Sequence, residues 1–405
     1  MRGVMQLEKY AEKIGALGVV LALLTLTVLL VGGYWWPESG DWEKTIRLVT
    51  CISLLCLLGQ LFKERLRLLA PTFLLFLLLW CVLMLNSILT ESYSSVRQLL
   101  LILFFTWMVM LLGGKEGRGW LAVLTVSALA PACFAGLSLV NKMLVGEFDT
   151  SYRGMYIHDS GIPGVAEFGI TIEAGLHYAF ALVISVWLLL KSRKPAHCML
   201  WSACVVVLLI YLYFTFARSA WVAGLLASAV LVITMTEGRL RRQIGWVAVL
   251  VTCAVVVVGF EQVVYEFGDR GLTDRDEVWA AVFERIGENW WFGHGSHTEL
   301  GKVALTNGAI VSNPHSLYLE ALYQFGLVGL AALWLAMGAC IWALRKTTSD
   351  LGRLWLAVLS ASSVLMLVEM HFFVDAPNVV WLWLWLPLAG AVAVTTQNKV
   401  GALRR

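Results

Sequence analysis

Charge is scarce in this 405-residue chain: Asp, Glu, Lys and Arg supply 14% of it, against 60% apolar residues, and the mean hydropathy is +0.78. Soluble domains carry about a quarter charged residues, so an ordinary soluble enzyme is excluded and a polytopic membrane protein is implied. Paired-cysteine motifs are also missing. All eight cysteines fall in or beside apolar runs, which gives neither a disulfide framework nor a CxxC metal site. The first apolar run ends in Gly32-Gly33-Tyr34-Trp35-Trp36 without a small-x-small cleavage pattern, and reads as a retained anchor rather than a signal peptide. No repeat, low-complexity tract or separate soluble domain interrupts the chain.

Apolar runs of spanning length lie near 14–33, 46–62, 68–86, 96–113, 120–140, 168–190, 198–217, 219–236, 244–260, 316–344, 352–373 and 378–396. The fold class expected is therefore all-α, with about twelve transmembrane helices. Nine would occupy residues 1–260, with a loop at about 141–167; a long, partly helical loop would follow at 261–315. The last three would fill residues 316–405, the whole forming one integrated domain. Of the 30 Lys and Arg, 20 fall in the alternate segments that would be cytoplasmic, whereas 21 of the 27 Asp and Glu fall at the other face. Both termini are thereby expected inside, with the long loops outside. The net charge of +3 averages these two faces, with lipids as neighbours and no ground for a nucleic-acid partner.

Residues 198–236 hold the sharpest topological signal. This nearly uncharged run lies between two basic flanks and spans roughly 58 Å at about 1.5 Å per residue, two bilayer cores. It must cross twice, which puts Phe216-Ala217-Arg218-Ser219 at an outward vertex. Arg218 there either snorkels to headgroups or grips a phosphate bidentately. In the second long loop, Val278, Trp279, Val282, Phe283 and Ile286 make 275–289 an amphipathic helix able to lie on the membrane surface. The loop closes with Val311-Ser312-Asn313-Pro314-His315-Ser316-Leu317-Tyr318-Leu319-Glu320. Asn313 is expected as N-cap and Pro314 at the first helical position, so His315 falls in the first turn, where the helix dipole favours a neutral, basic imidazole. The alternative is an interfacial histidine without chemistry.

Four segments in order resemble the O-antigen ligase/polymerase superfamily. They are Phe216-Ala217-Arg218-Ser219-Ala220-Trp221; Arg275-x-x-x-Trp279 followed by Trp290-Trp291-Phe292-Gly293-His294-Gly295; Asn313-Pro314-His315-Ser316; and Gly326-Leu327-Val328-Gly329. The likeness is strongest over about 210–335 and departs at Asn289-Trp290-Trp291, where a proline is common. It implies a glycosyltransferase C-type membrane enzyme that is inverting, metal-independent and without cofactor. The implied donor is a glycan on undecaprenyl diphosphate, and the implied acceptor a sugar hydroxyl of lipid A–core on the periplasmic face. By the same resemblance His315 is the general base, Arg218 and Arg275 hold the diphosphate, and Arg153, Asn313, Tyr318 and Glu320 are expected to contact substrate.

The chemistry agrees with that assignment. Displacing a diphosphate builds negative charge that positioned guanidiniums stabilise, while a base activates the attacking hydroxyl. Asp274-Arg275-Asp276 and His294-Gly295-Ser296-His297 mimic metal-binding patterns, but matches this short arise by chance in a loop of this length. Trp381-x-Trp383-x-Trp385 reads as an aromatic belt at the membrane interface. Two other functions compete: a polymerase or protein O-oligosaccharyltransferase using a similar donor, and a non-enzymatic transporter of lipid-linked sugars. A transporter needs charged or broken helices at mid-membrane, whereas the polar residues here gather at the outer face.

Overall fold

The computed structural model describes all residues except 1, 36–38, 62–69, 114–116, 150, 239–240, 244–259, 270–274, 288, 307, 309, 372 and 404–405. The expected span at 244–260 therefore lies outside the described residues, as does Asp274.

Among the described residues, eight helices come first: α1 (Arg2–Val31), α2 (Ser39–Leu61), α3 (Pro71–Leu89), α4 (Tyr93–Leu112), α5 (Arg118–Leu144), α6 (Thr171–Lys191), α7 (Pro195–Thr215) and α8 (Arg218–Met235). Then follow a short α9 (Phe260–Val264) with a π-helical turn at Tyr265–Asp269, and α10 (Arg275–Ile286). A two-stranded hairpin, β1 (Val303–Ala304) with β2 (Ile310–Val311), pairs Val303 with Val311. Helices α11 (Leu317–Leu344), α12 (Asp350–Val368) and α13 (Leu386–Leu403) complete the chain, the last preceded by a π-helical turn at Trp381–Trp385. Among the described residues, nine helices are long and apolar enough to cross a membrane. The molecule is thus an all-α, multi-pass membrane protein.

Helix α8 packs against α6 and α12, α11 against α3 and α12, and α13 against α4. Side-chain bonds fix which ends meet. Trp187 Nε1 donates to the Asp350 carbonyl at 2.8 Å, joining the end of α6 to the start of α12. At the other end of α6, the Leu176 carbonyl accepts from Trp383 Nε1 at 3.2 Å. The loop between α5 and α6 reaches the end of α7 through Ile157 N–H to the Phe214 carbonyl, 3.1 Å. The start of α8 and the finish of α12 therefore share the face that carries the long loops.

Two expectations need correction here. Trp381, Trp383 and Trp385 do not form a belt: all three are buried, at 2% exposure or less. The π-helical turn widens the backbone, neighbouring helices enclose the rings, and each indole N–H finds a carbonyl: Asp375, Leu176 and Phe373 respectively. Helix α12 also stops at Val368 rather than 373. Residues 369–371 and 373–378 instead leave the helix as a strap, held by Trp381 and Trp385 from behind.

In helix α10 Val278, Val282 and Ile286 are buried and the helix packs on α11, while Phe283 of the same apolar set stays exposed.

Candidate active site

The turn at the α7–α8 vertex is where the sequence puts it. Phe216 adopts the left-handed conformation, φ 48°, and Arg218 is the first residue of α8. From there Arg218 reaches Glu266, donating from Nη1 to its carbonyl at 2.6 Å, with Nε 3.7 Å from its Oε2. Arg153 approaches the same carboxylate, Nε to Oε1 at 3.5 Å, and the Tyr152 hydroxyl donates to that oxygen at 2.6 Å. Glu266 is 4% exposed. Burying a carboxylate this far is tolerable only beside cations. The guanidinium of Arg153 also lies over the rings of Tyr156 and Phe216, 5.4 and 5.6 Å from their centroids. Two guanidiniums and one carboxylate leave this centre with a net positive charge.

A second carboxylate, Glu369, collects the other two residues. Arg275 Nη2 donates to its Oε2 at 3.0 Å, and His315 Nδ1 lies 3.7 Å from its Oε1. Glu369 is also 4% exposed. The ring of His371 stands 6.3 Å from that of His315. Burial, and then the neighbouring His315, hold the His371 imidazole below its ordinary value, with Glu369 and Asp375 opposing. Arg218 and Glu369 begin and end α8 and α12, whose axes as packed neighbours are about 8–10 Å apart.

The local structure of His315 differs from the capping expected. Ser316, not Asn313, caps α11: its hydroxyl accepts the Leu319 N–H at 3.4 Å and donates to the Met366 carbonyl at 3.1 Å. Asn313 instead accepts the His315 N–H at 3.2 Å, closing a tight turn that throws His315 to φ 47°. Trp279 Nε1, donating to the Pro314 carbonyl at 3.0 Å, pins that turn to α10. His315 thus precedes the helix, and its surroundings are set by Glu369, Arg275 and His371 rather than by first-turn N–H groups.

Of the seven non-glycine residues with left-handed φ among those described, Arg153, Phe216, His297, His315 and Met370 all lie in or beside these centres. Backbone strain of this kind persists where packing over-determines it, and it concentrates at functional sites.

The remaining expected residues divide. Asn313 and Glu320 line a cavity of about 110 Å³ beside His371. Tyr318 does not: its hydroxyl donates to the Ser363 carbonyl at 3.1 Å and its ring packs on Trp334. The His-x-x-His pattern is a local turn, since both nitrogens of His294 meet protein groups, the Arg285 carbonyl at 2.9 Å and the Asn289 amide at 3.3 Å. Glu277, two residues into α10, ties down the hairpin by accepting from the Thr306 N–H and hydroxyl, which keeps its carboxyl below the usual range. Sequence reasoning missed Glu266 altogether. Nor did it connect Glu369 and His371 with the site, since nothing in the chain signals that one carboxylate joins residues 275 and 315.

The glycine-rich motifs explain one another. At Gly326 helix α11 breaks, with φ 66° and ψ −170°. The opened backbone takes bonds from the loop: Leu327 N–H to the Trp290 carbonyl at 2.9 Å, Val328 N–H to Trp291 at 3.2 Å, and His294 N–H to Tyr323 at 2.9 Å. A Cβ at Gly326 would overlap the Trp291 backbone, and one at Gly293 would overlap Gln324. The tryptophans standing where a proline is common supply the two carbonyls.

Residues 203–334, which hold both the α7–α8 vertex and His315, match the sequence profile of the family described as O-antigen ligase. The O-antigen ligase of Pseudomonas aeruginosa is 29% identical over 169 residues, covering 40% of this chain and 41% of that relative. The aligned part thus spans about two-fifths of the relative's length. Over residues 203–334, then, the chain is similar to the O-antigen ligase family.

Proposed function

We propose that this protein is an O-antigen ligase, moving a glycan from undecaprenyl diphosphate to a sugar hydroxyl of lipid A–core at the periplasmic face of the inner membrane. The observation that carries this reading is that His315 and Arg275 converge on one buried carboxylate, Glu369. With its proton on Nδ1 facing Glu369, His315 has Nε2 available as a base. That nitrogen takes the acceptor hydroxyl proton while the oxygen bonds to the anomeric carbon from the side opposite the diphosphate. The bond from anomeric carbon to phosphate oxygen breaks, the diphosphate leaves with the electron pair, and configuration inverts.

The charges suit each step. The net-positive centre of Arg153, Arg218 and Glu266 receives the diphosphate. Arg275, partly neutralised by Glu369, keeps further N–H groups for the leaving oxygen and holds the carboxylate that stabilises the imidazolium as it forms. Guanidiniums in these places supply the positive charge that a metal would otherwise bring. The test is purified protein in nanodiscs with lipid-linked glycan, lipid A–core and EDTA, without nucleotide. Glycan-bearing lipid of inverted linkage is the expected product; abolition by EDTA, or retained linkage, would refute the mechanism.

A further inference from the structure

We infer that the cavity beside His371 is a subsite for one uncharged, polyhydroxylated sugar ring of the acceptor. This assignment rests on the ligase reading above and goes beyond it by naming the acceptor's chemistry. The cavity, of about 110 Å³, lies between the loop at 297–300, the turn before α11, the first turns of α11 and the strap after α12. In that volume several waters fit, hence one ring and not an oligosaccharide. Its walls include Asn313 and Pro314, which precede His315 in sequence, and His371, whose ring is 6.3 Å from that of His315. His315 does not itself line the cavity, so a ring seated here is separated from the base by the His371 imidazole.

The polar groups form a connected set on a rigid element. Gln324 donates from Nε2 to Glu320 Oε1 at 3.0 Å, one helical turn away, and its Oε1 accepts the His297 N–H at 3.3 Å. Both residues are more than nine-tenths buried. Such a fixed carboxylate–amide pair beside two imidazoles, with Phe373 and Val374 as an apolar wall, suits hydroxyl recognition above an aliphatic ring face. Charge decides between substrates. Two glutamates, Glu299 and Glu320, and no Lys or Arg line the cavity. A diphosphate, or a ring bearing phosphate or carboxylate, would meet like charge without a counter-ion. The donor's diphosphate end belongs with Arg153 and Arg218, and the neutral acceptor ring belongs here.

The experiment uses the full chain in nanodiscs and varies donor and acceptor separately, with Gln324→Ala, Glu320→Gln and the surface-sited Ser312→Trp, which fills the cavity from its rim. The expected result is an acceptor KM at least tenfold higher in each variant with donor KM within twofold. An acceptor phosphorylated on its terminal ring should be used at least a hundredfold less well than its neutral form. A rise in donor KM alone, unchanged kinetics in Ser312→Trp, or equal use of the phosphorylated acceptor would overturn the subsite. Calorimetric binding of a neutral methyl hexoside separates the two proposals. Should the wild type transfer nothing, the ligase reading fails, while hexoside binding that Ser312→Trp abolishes still supports the cavity and its absence refutes it.

Discussion

At the residue scale, the two buried carboxylates divide the work between cations that the sequence presents as equivalent. Arg218 shares Glu266 with Arg153, whereas Arg275 shares Glu369 with His315. Arg218→Lys is therefore expected to raise donor KM about tenfold or more, because an ammonium cannot replace the forked guanidinium, while Arg275→Lys should act mainly on kcat. His315→Ala should lower turnover at least about 10²-fold with donor binding retained. Glu369→Gln should lower kcat with donor KM retained, since the imidazolium formed in the reaction loses its counter-charge; a purely structural role would change folded yield and leave turnover per folded molecule in place. His371 bears on stability. Its value in the folded protein lies below the ordinary 6.5, so between the two the unfolded chain binds a proton that the folded chain refuses. Stability is full above about 6.5 and falls as pH drops towards the folded value. Melting curves between pH 7.5 and 5 should show this decline in the wild type and a weaker one in His371→Gln, with His315, Glu369 and Asp375 left in place.

At the scale of elements, the break in α11 is the joint on which the site depends. Gly326 has a backbone conformation that is essentially restricted to glycine. Its motif partner Gly293 faces it so closely that neither tolerates a Cβ. Gly326→Ala should cost on the order of 1–3 kcal/mol from backbone strain alone, with overlap against Trp291 added, and it should displace the loop carrying His297 as well as Gln324. Thermal unfolding and acceptor KM measured on the same preparation check this, and an alanine variant with wild-type melting and kinetics would dismiss the joint. The strap after α12 is the other device. It leaves α12 early, is anchored by Trp381 and Trp385, and presents Glu369 and His371 towards residues on α10 and before α11.

At the scale of the whole molecule, the helix ends that carry Arg218, Glu369 and His315 gather on the face of the long loops, consistent with a periplasmic site. Single cysteines at 147 and 299 should react with an impermeant thiol reagent from outside intact cells, and cysteines at 193 and 350 only after permeabilisation. Labelling at 193 from outside would overturn the proposed orientation.

The sequence by itself determined the class and, among the described residues, nine spans, because helices of 18–28 mainly apolar residues satisfy their backbone internally in lipid. It also determined the vertex at Arg218, since two basic flanks leave a 39-residue run only one way to fold. The motif order marked His315 and the arginines. Only the tertiary structure decided who their partners are. A buried carboxylate is recruited across 48 residues to Arg218 and across 94 to Arg275, and such pairing leaves no period or composition in the chain. The same limit explains the misplaced cap and the buried tryptophans. Asn-Pro and Ser both offer a helix start, and Trp-x-Trp-x-Trp suits interface and interior alike, so the choice falls to whatever packs against them: Met366 bonded to Ser316 in the first case, and the carbonyls of Leu176, Phe373 and Asp375 in the second.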